Sequence, residues 1–159
     1  MANTFSALYY HIIFSTKNRT RWIAPEIEER VWTYLGGIAR EKGFTAIRIG
    51  GVEDHIHVIA GLSPAWAPSK AVQFLKGGSS IWIHDTFSKL AEFGWQDGYA
   101  AFSVSKSQLS DVVNYVARQR EHHRIKSFQE EYRAFLDKTK SLTTNGTFGD
   151  EIIRSLRDA

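Results

Sequence analysis

The sequence predicts an α+β fold: a ferredoxin-like, RRM-like βαββαβ sandwich with one antiparallel sheet and further helices toward the C-terminus. Three observations predict it. Short β-branched and aromatic runs alternate with longer stretches whose apolar residues recur at helical spacing, in the order strand, helix, strand, strand, helix, strand. Proline opens both long helical stretches, at Pro25 and Pro68, where a missing N–H would have no helical partner anyway. A two-residue acidic turn, Glu53-Asp54, separates the second strand from the third.

Taken in order, Tyr9 to Ser15 is the first strand and runs into the polar stretch Lys17–Arg21. Pro25, with Glu26, Glu28 and Glu29 in the first turn, opens a helix that carries Ile27, Val31, Leu35 and Ile38 and ends at Gly43. Phe44 to Val52 is the second strand, with Ile47 and Ile49 on one side and Gly50-Gly51 closing it. His55 to Gly61 is the third. Pro64 and Pro68 punctuate the next loop, and Pro68 starts a helix with Val72, Leu75, Trp82 and Ile83. Gly77-Gly78-Ser79-Ser80 inside it lowers helicity, and the usual return is close backbone approach to a neighbour. Tyr99 to Val104 is the fourth strand. Ser105 and Gln108 form a capping box that opens a helix running to about Arg124, and Ser127 with Glu130 repeats the device before a last helix bearing Phe128, Tyr132, Phe135 and Leu136. From Thr139 the chain turns polar, so one domain is expected over 1–138, with a tail and a short helix over 139–159.

A chain of 159 residues is long enough to bury roughly two-thirds of its unfolded surface without a covalent staple. The absence of cysteine excludes disulfides and thiolate metal sites. Neither a secretory signal nor an apolar run near the ~20 residues of a membrane span is present, so a cytoplasmic protein without a membrane partner is expected. Net charge is +3, but its distribution is uneven. Lys17, Arg19 and Arg21 follow the first strand, while Arg118, Arg120, His122, His123, Arg124 and Lys126 crowd the end of a helix. Such a face suits a phosphate backbone, and a solvated helix surface reads the same way.

On a strand, His55 and His57 point to one side while Ile56 enters the core, with Cα atoms roughly 6.5 Å apart. Two imidazoles at that distance can converge on one metal ion, and ordinary surface strands also carry such pairs. Asp54 precedes them, and the sheet face they occupy is expected to lie open. On the later helix, Tyr115 and Gln119 are four apart and His122 continues their stripe, a quarter-turn from Leu109, Val112, Val113 and Val116. Tyr115 therefore stands beside the buried stripe with its hydroxyl accessible; an amphipathic tyrosine at the core edge would look the same. Trp95 reads as core, whereas Tyr99 fits core or base stacking. His11, on the first strand, flanks the face of the pair, and His84 ends a helix. No GxGxxG or GxxxxGK[ST] phosphate loop, no Gly-x-Ser-x-Gly elbow and no RNA-reading aromatic strand is present, so no small-molecule substrate is expected.

Together these residues resemble the single-tyrosine HUH transposases, the TnpA type of small bacterial insertion sequences related to REP-associated tyrosine transposases. The resemblance covers roughly positions 5 to 132. It runs through His11-Ile-Ile-Phe, Gly50-Gly-Val-Glu-Asp-His-Ile-His-Val, Leu75-Lys-Gly-Gly-Ser-Ser-Ile-Trp, Phe93-Gly-Trp-Gln-Asp-Gly-Tyr-Ala-Ala-Phe-Ser-Val and Tyr115-Val-Ala-Arg-Gln-Arg-Glu-His-His. The resemblance implies a divalent cation, Mg²⁺ or Mn²⁺, on His55, His57 and Gln119, with Tyr115 as nucleophile. It implies cleavage and rejoining of single-stranded DNA at hairpin-bearing element ends through a 5′-phosphotyrosine. DNA contacts fall on Lys17, Arg19, Arg21, Arg118, His122, His123 and Arg124. It also implies a homodimer with joined sheets, often with one subunit's tyrosine serving the other's histidines. With no long extension at either end, the compact insertion-sequence form is the expectation. Two rivals stand beside this reading: a non-catalytic single-stranded nucleic-acid-binding module of the same fold, and a metal-dependent phosphoesterase that uses water.

Overall fold

The computed structural model describes residues 3–123 together with Glu130, Arg133, Ala134, Leu136 and Asp137. The predicted elements form in the predicted order. They are β1 (Leu8–Ser15), α1 (Pro25–Lys42), β2 (Thr45–Val52), β3 (His55–Leu62), α2 (Pro68–Thr86), β4 (Ala100–Val104), α3 (Leu109–Ala117) and α4 (Gln119–His123). The chain separates into two units, Met1–Gln119 and Arg120–Ala159, and the sheet with α1, α2 and α3 belongs to the first. Of the last helix expected from Ser127, the described positions Glu130, Arg133, Ala134, Leu136 and Asp137 are helical. Ser127, Phe128, Tyr132, Phe135 and the tail 139–159 lie outside the described residues. No described helix is long and apolar enough to cross a membrane.

Each strand's alternation sorts its side chains between two environments. The sheet is antiparallel with strand order β2-β3-β1-β4, so β3 and β1 occupy the centre and are the most buried. Ile12 and Phe14 stand opposite Val58 and Ile56, and this face forms the main core with Val31, Leu35 and Ile38 of α1 and Leu75 and Ile83 of α2. Fully burying side chains of this size stabilises by about 1.5–3 kcal/mol apiece. The two crossover helices touch each other above the sheet, where the glycine run in α2 permits their approach. A Cβ at Gly78 would lie 2.9 Å from Ile38 Cδ1. Ser79 is buried and receives the Trp95 indole N–H at 2.9 Å, while Trp95 packs edge-on against Phe14 and Phe93, so Trp95 is a core residue as expected. Tyr99 also packs against the core.

The opposite face is not open, as the sequence led us to expect: α3 lies against it over β2 and β3. Gly50 makes that possible, because a Cβ there would fall 2.5 Å from the Val116 carbonyl oxygen. The helix backbone thus rests directly on the sheet, and Val116 is buried beneath it.

Three local expectations change. Ile47 and Ile49 do not share a side, because a bulge between Ala46 and Arg48 resets the register. Ile49 packs on the main core, whereas Ile47 is exposed and approaches Gly61 alongside Thr45 and Tyr9. The capping box at Ser105 does not form. The first turn is a 3-10 turn in which the Gln108 N–H donates to the Ser105 carbonyl at 3.0 Å, and that N–H is the one the Ser105 hydroxyl would have capped. Finally, the helix expected to reach Arg124 breaks at Arg118 (φ −107, ψ 25). Its N–H donates back to the Tyr115 carbonyl at 3.2 Å, tightening the last turn and ending α3.

Candidate metal centre and nucleophile

The pleat of β3 sends His55 and His57 to the face under α3, where strand pairing places Ser15 and Ile13 of β1 opposite them. On the other side of β3, Val52 and Gly50 of β2 are their partners. The two imidazole rings sit 5.3 Å apart, centroid to centroid, and both residues are 0% exposed. The period-two argument for the pair holds, and the added feature is enclosure.

Each histidine is held from behind by a different group. His55 Nδ1 lies 2.7 Å from Asp54 Oδ1, and a carboxylate can only accept, so the ring N–H donates. Asp54 in turn accepts from the Arg19 guanidinium at 3.2 Å. Burial raises the Asp54 carboxyl, but the hydrogen bond from His55 and the charge and hydrogen bond of Arg19 together hold it below the usual carboxylate range. Burial lowers His55 by more than its bond to Asp54 raises it, so the imidazole is neutral. His57 Nδ1 meets His11 Nε2 at 2.8 Å, ring against ring with centroids 5.0 Å apart. His11 is 2% exposed, and burial pushes it down to about 4, so it too is neutral near pH 7.

With both Nδ1 atoms engaged, the remaining imidazole nitrogens are His55 Nε2 and His57 Nε2, and both are shut off from solvent. Gln119, only 2% exposed, lies beside His55 and places its amide nitrogen 3.5 Å from the Tyr115 carbonyl. Among the described residues no three His, Cys, Asp or Glu side chains gather in metal-holding geometry. Gln119 is the amide beside the pair, and its oxygen is of a kind that can serve as a third donor. Two imidazole nitrogens and an amide oxygen fit Mn²⁺ or Mg²⁺ and leave positions for water and substrate oxygen.

Tyr115 turns toward this cluster. Its ring meets His57 edge-on at 5.9 Å and His11 at 6.2 Å, within the same chain. The hydroxyl is buried and not accessible beside the packing stripe, because the ring crosses inward over the imidazoles. On α3 only Val116 of the expected stripe is fully buried.

The basic residues divide. Lys17, Arg21 and Arg118 are exposed, and Arg21 lies 3.5 Å from Glu53. Arg19 is half-buried on Asp54, at the end of a short turn where both Asn18 and Arg19 adopt left-handed φ of 54°. That conformation costs a non-glycine residue on the order of 1 kcal/mol. The Asn18 N–H is anchored on Gln96 Oε1 at 2.9 Å, which helps to hold it. The side chains of His122 and His123, and all of Arg124, lie outside the described residues. His84 donates to the Phe93 carbonyl at 2.6 Å and is structural. Sequence reasoning missed Arg19 as the partner of Asp54, and it missed the contact between His11 and His57. The signal for His11 was its strand position, but only the β1–β3 register shows that it reaches His57.

Several known proteins resemble this chain. The family described as "Transposase IS200 like" matches residues 4–119. The ISDra2 transposase TnpA of Deinococcus radiodurans is 26% identical over 117 residues, covering 70% of this chain and 84% of that one. The transposase for insertion sequence element IS200 of Salmonella typhimurium is 27% identical over 131 residues, covering 79% and 85%. Two solved structures share the fold. A Deinococcus radiodurans protein described as a transposase superposes with TM-score 0.62 at 23% identity, covering 75% of this chain and 95% of that one. A REP-associated tyrosine transposase bound to a REP hairpin gives 0.57 at 13% identity, covering 77% and 74%.

Proposed function

Because the chain belongs to the IS200-like transposase family, we propose that it cuts and rejoins single-stranded DNA at hairpin-bearing element ends, with Tyr115 as nucleophile and a divalent cation on His55, His57 and Gln119. The observation that carries this reading is the convergence of the Tyr115 ring on His57, 5.9 Å apart in one chain, with the hydroxyl and both Nε2 atoms each buried.

In this reading Tyr115 Oη attacks the phosphorus of a DNA phosphodiester, and the bond from phosphorus to the 3′ oxygen breaks. The phenolic proton is passed on and the departing oxygen leaves as a 3′-hydroxyl, while Tyr115 keeps a 5′-phosphotyrosine link. A 3′-hydroxyl from the same or another strand then attacks that link, reverses the exchange and returns the proton to Tyr115. The phosphoester bond energy is conserved throughout, so no nucleotide triphosphate is needed. A phenol in water ionises near pH 10 and is a poor nucleophile at neutral pH. When bound, Mn²⁺ or Mg²⁺ withdraws charge from the phosphate oxygens and fixes the phosphate for in-line attack. His55 and His57 supply nitrogen lone pairs, and Asp54, backed by Arg19, keeps His55 in the tautomer that does so. In this reading Lys17, Arg19, Arg21, Arg118, His122, His123 and Arg124 are the residues that contact the phosphate backbone. The solved relative bound to a hairpin supports that substrate shape. The edge strands β2 and β4 are the natural places for sheets to join in a homodimer.

The test is direct. Protein is incubated with end-labelled single-stranded hairpin DNA and Mn²⁺ and resolved on a denaturing gel. A protein–DNA adduct is expected, lost with chelator and in Tyr115→Phe. His57→Ala is expected to abolish cleavage and keep hairpin binding within about threefold. Cleavage without an adduct would establish a water-using phosphoesterase instead. Binding with neither cleavage nor adduct, across several element ends, would establish a binding module.

A further inference from the structure

We infer that His11 is a positioning residue for His57: it accepts a hydrogen bond from His57 Nδ1–H and so presents the His57 Nε2 lone pair to the cation. The inference rests on the metal reading proposed above and assigns the support of its second ligand.

A neutral imidazole carries one proton, and the partner on one nitrogen decides what the other can do. For His55 the matter is settled by Asp54, which can only accept. For His57 the group met at Nδ1 is an imidazole and not a carboxylate. Its Nδ1 meets the Nε2 of another imidazole at 2.8 Å. Two proton placements satisfy that contact. If His11 donated, His57 would carry its own proton on Nε2 and could not bind a cation there. If His57 donates, Nε2 becomes a donor atom toward the buried cluster it shares with His55 and Gln119.

The sheet fixes this geometry. Ile13 stands opposite His57, and His11 stands opposite Ile59, so His11 is the diagonal neighbour of His57 on the same face. Burial at 2% exposure keeps water from replacing the acceptor. His11 also meets the Tyr115 ring at 6.2 Å, so one side chain buttresses both the ligand and the nucleophile. An imidazole acceptor also adds no net charge, whereas a second carboxylate would place a negative charge close to where the substrate phosphate must sit.

The test uses the full chain with His11→Phe, which keeps a ring and removes the acceptor, and His11→Gln, whose amide oxygen can accept in its place. Calorimetric titration with Mn²⁺ is expected to show about a 10–100-fold weaker Kd for the phenylalanine variant. The glutamine variant is expected to stay within about threefold of the wild type, a rescue that a purely space-filling role would not give. Independently of any His11 variant, ¹⁵N–¹H correlation spectra of histidine-labelled, metal-free protein report the tautomer. The His57 signal, identified by its loss in His57→Ala, is expected to show the proton on Nδ1. A proton on Nε2, or Mn²⁺ binding by His11→Phe that equals the wild type, overturns the inference and leaves the proposed function standing. A wild-type chain that binds no Mn²⁺ overturns both.

Discussion

His11 and His55 are buried bases whose charged forms the fold disfavours, His11 down to about 4 and His55 lowered in the same direction. Their unfolded values lie near 6.5. Between those limits the unfolded chain binds more protons than the folded one, so stability rises with pH in that window. The contribution is complete above about 6.5 and is lost as pH falls toward the folded values. For His11 alone it is on the order of 3 kcal/mol. Urea unfolding of the chelator-treated protein is therefore expected to show a midpoint that drops steadily from pH 7 to pH 5. A flat profile over that range would show that these imidazoles accept protons inside the fold. At this scale the sequence was informative about type and spacing: His55 and His57 share a face because strands alternate. It said nothing of His11 meeting His57, since that contact depends on how two strands 46 residues apart slide into register.

Among the elements, α3 is the one whose placement decides the site. Its backbone touches the sheet at Gly50, where even a methyl group would enter the Val116 carbonyl at 2.5 Å. Backbone cannot swing aside as a side-chain tip can, so Gly50→Ala must lift the helix or bend the strand. Overpacking of that kind costs about 1–3 kcal/mol. Equilibrium unfolding of Gly50→Ala is expected to show a loss in that range, with β1, β3 and the crossover helices intact by circular dichroism. The crossover helices were legible because Pro25, Pro68 and a helical apolar period mark them locally. The stripe on α3 was legible too, but an amphipathic pattern does not say which surface it will cover. The bulge at Ile47 and the break at Arg118 carry no glycine or proline signal. The first is set by the partner strand, and the second by competition for one carbonyl, that of Tyr115.

Across the first unit as a whole, the sheet acts as a platform with a hydrocarbon side and an imidazole side. Ile12, Phe14, Ile56 and Val58 anchor it from one face, and the central strands therefore present His11, His55 and His57 from the other with little freedom. The fold class was readable because the strand and helix order admits few topologies. That His55 and His57 share a face could be read from spacing alone. Their mutual support could not be read, because Asp54, Arg19 and His11 act through contacts that only the assembled sheet creates.

Enclosure beneath α3 also sets a clock. On the metal reading proposed above, an ion in solution cannot meet a nitrogen that no solvent reaches, so loading must wait for the helix to part from the sheet. Arrival then follows a two-stage scheme, opening and capture, and capture stops limiting once the ion is abundant. Stopped-flow mixing with Mn²⁺ is expected to give an uptake rate that climbs with concentration and then levels off. The ceiling equals the opening rate and is higher in Gly50→Ala, whose helix is less firmly seated. A rate that climbs without limit would mean that the donors are reached by a route other than parting of the helix.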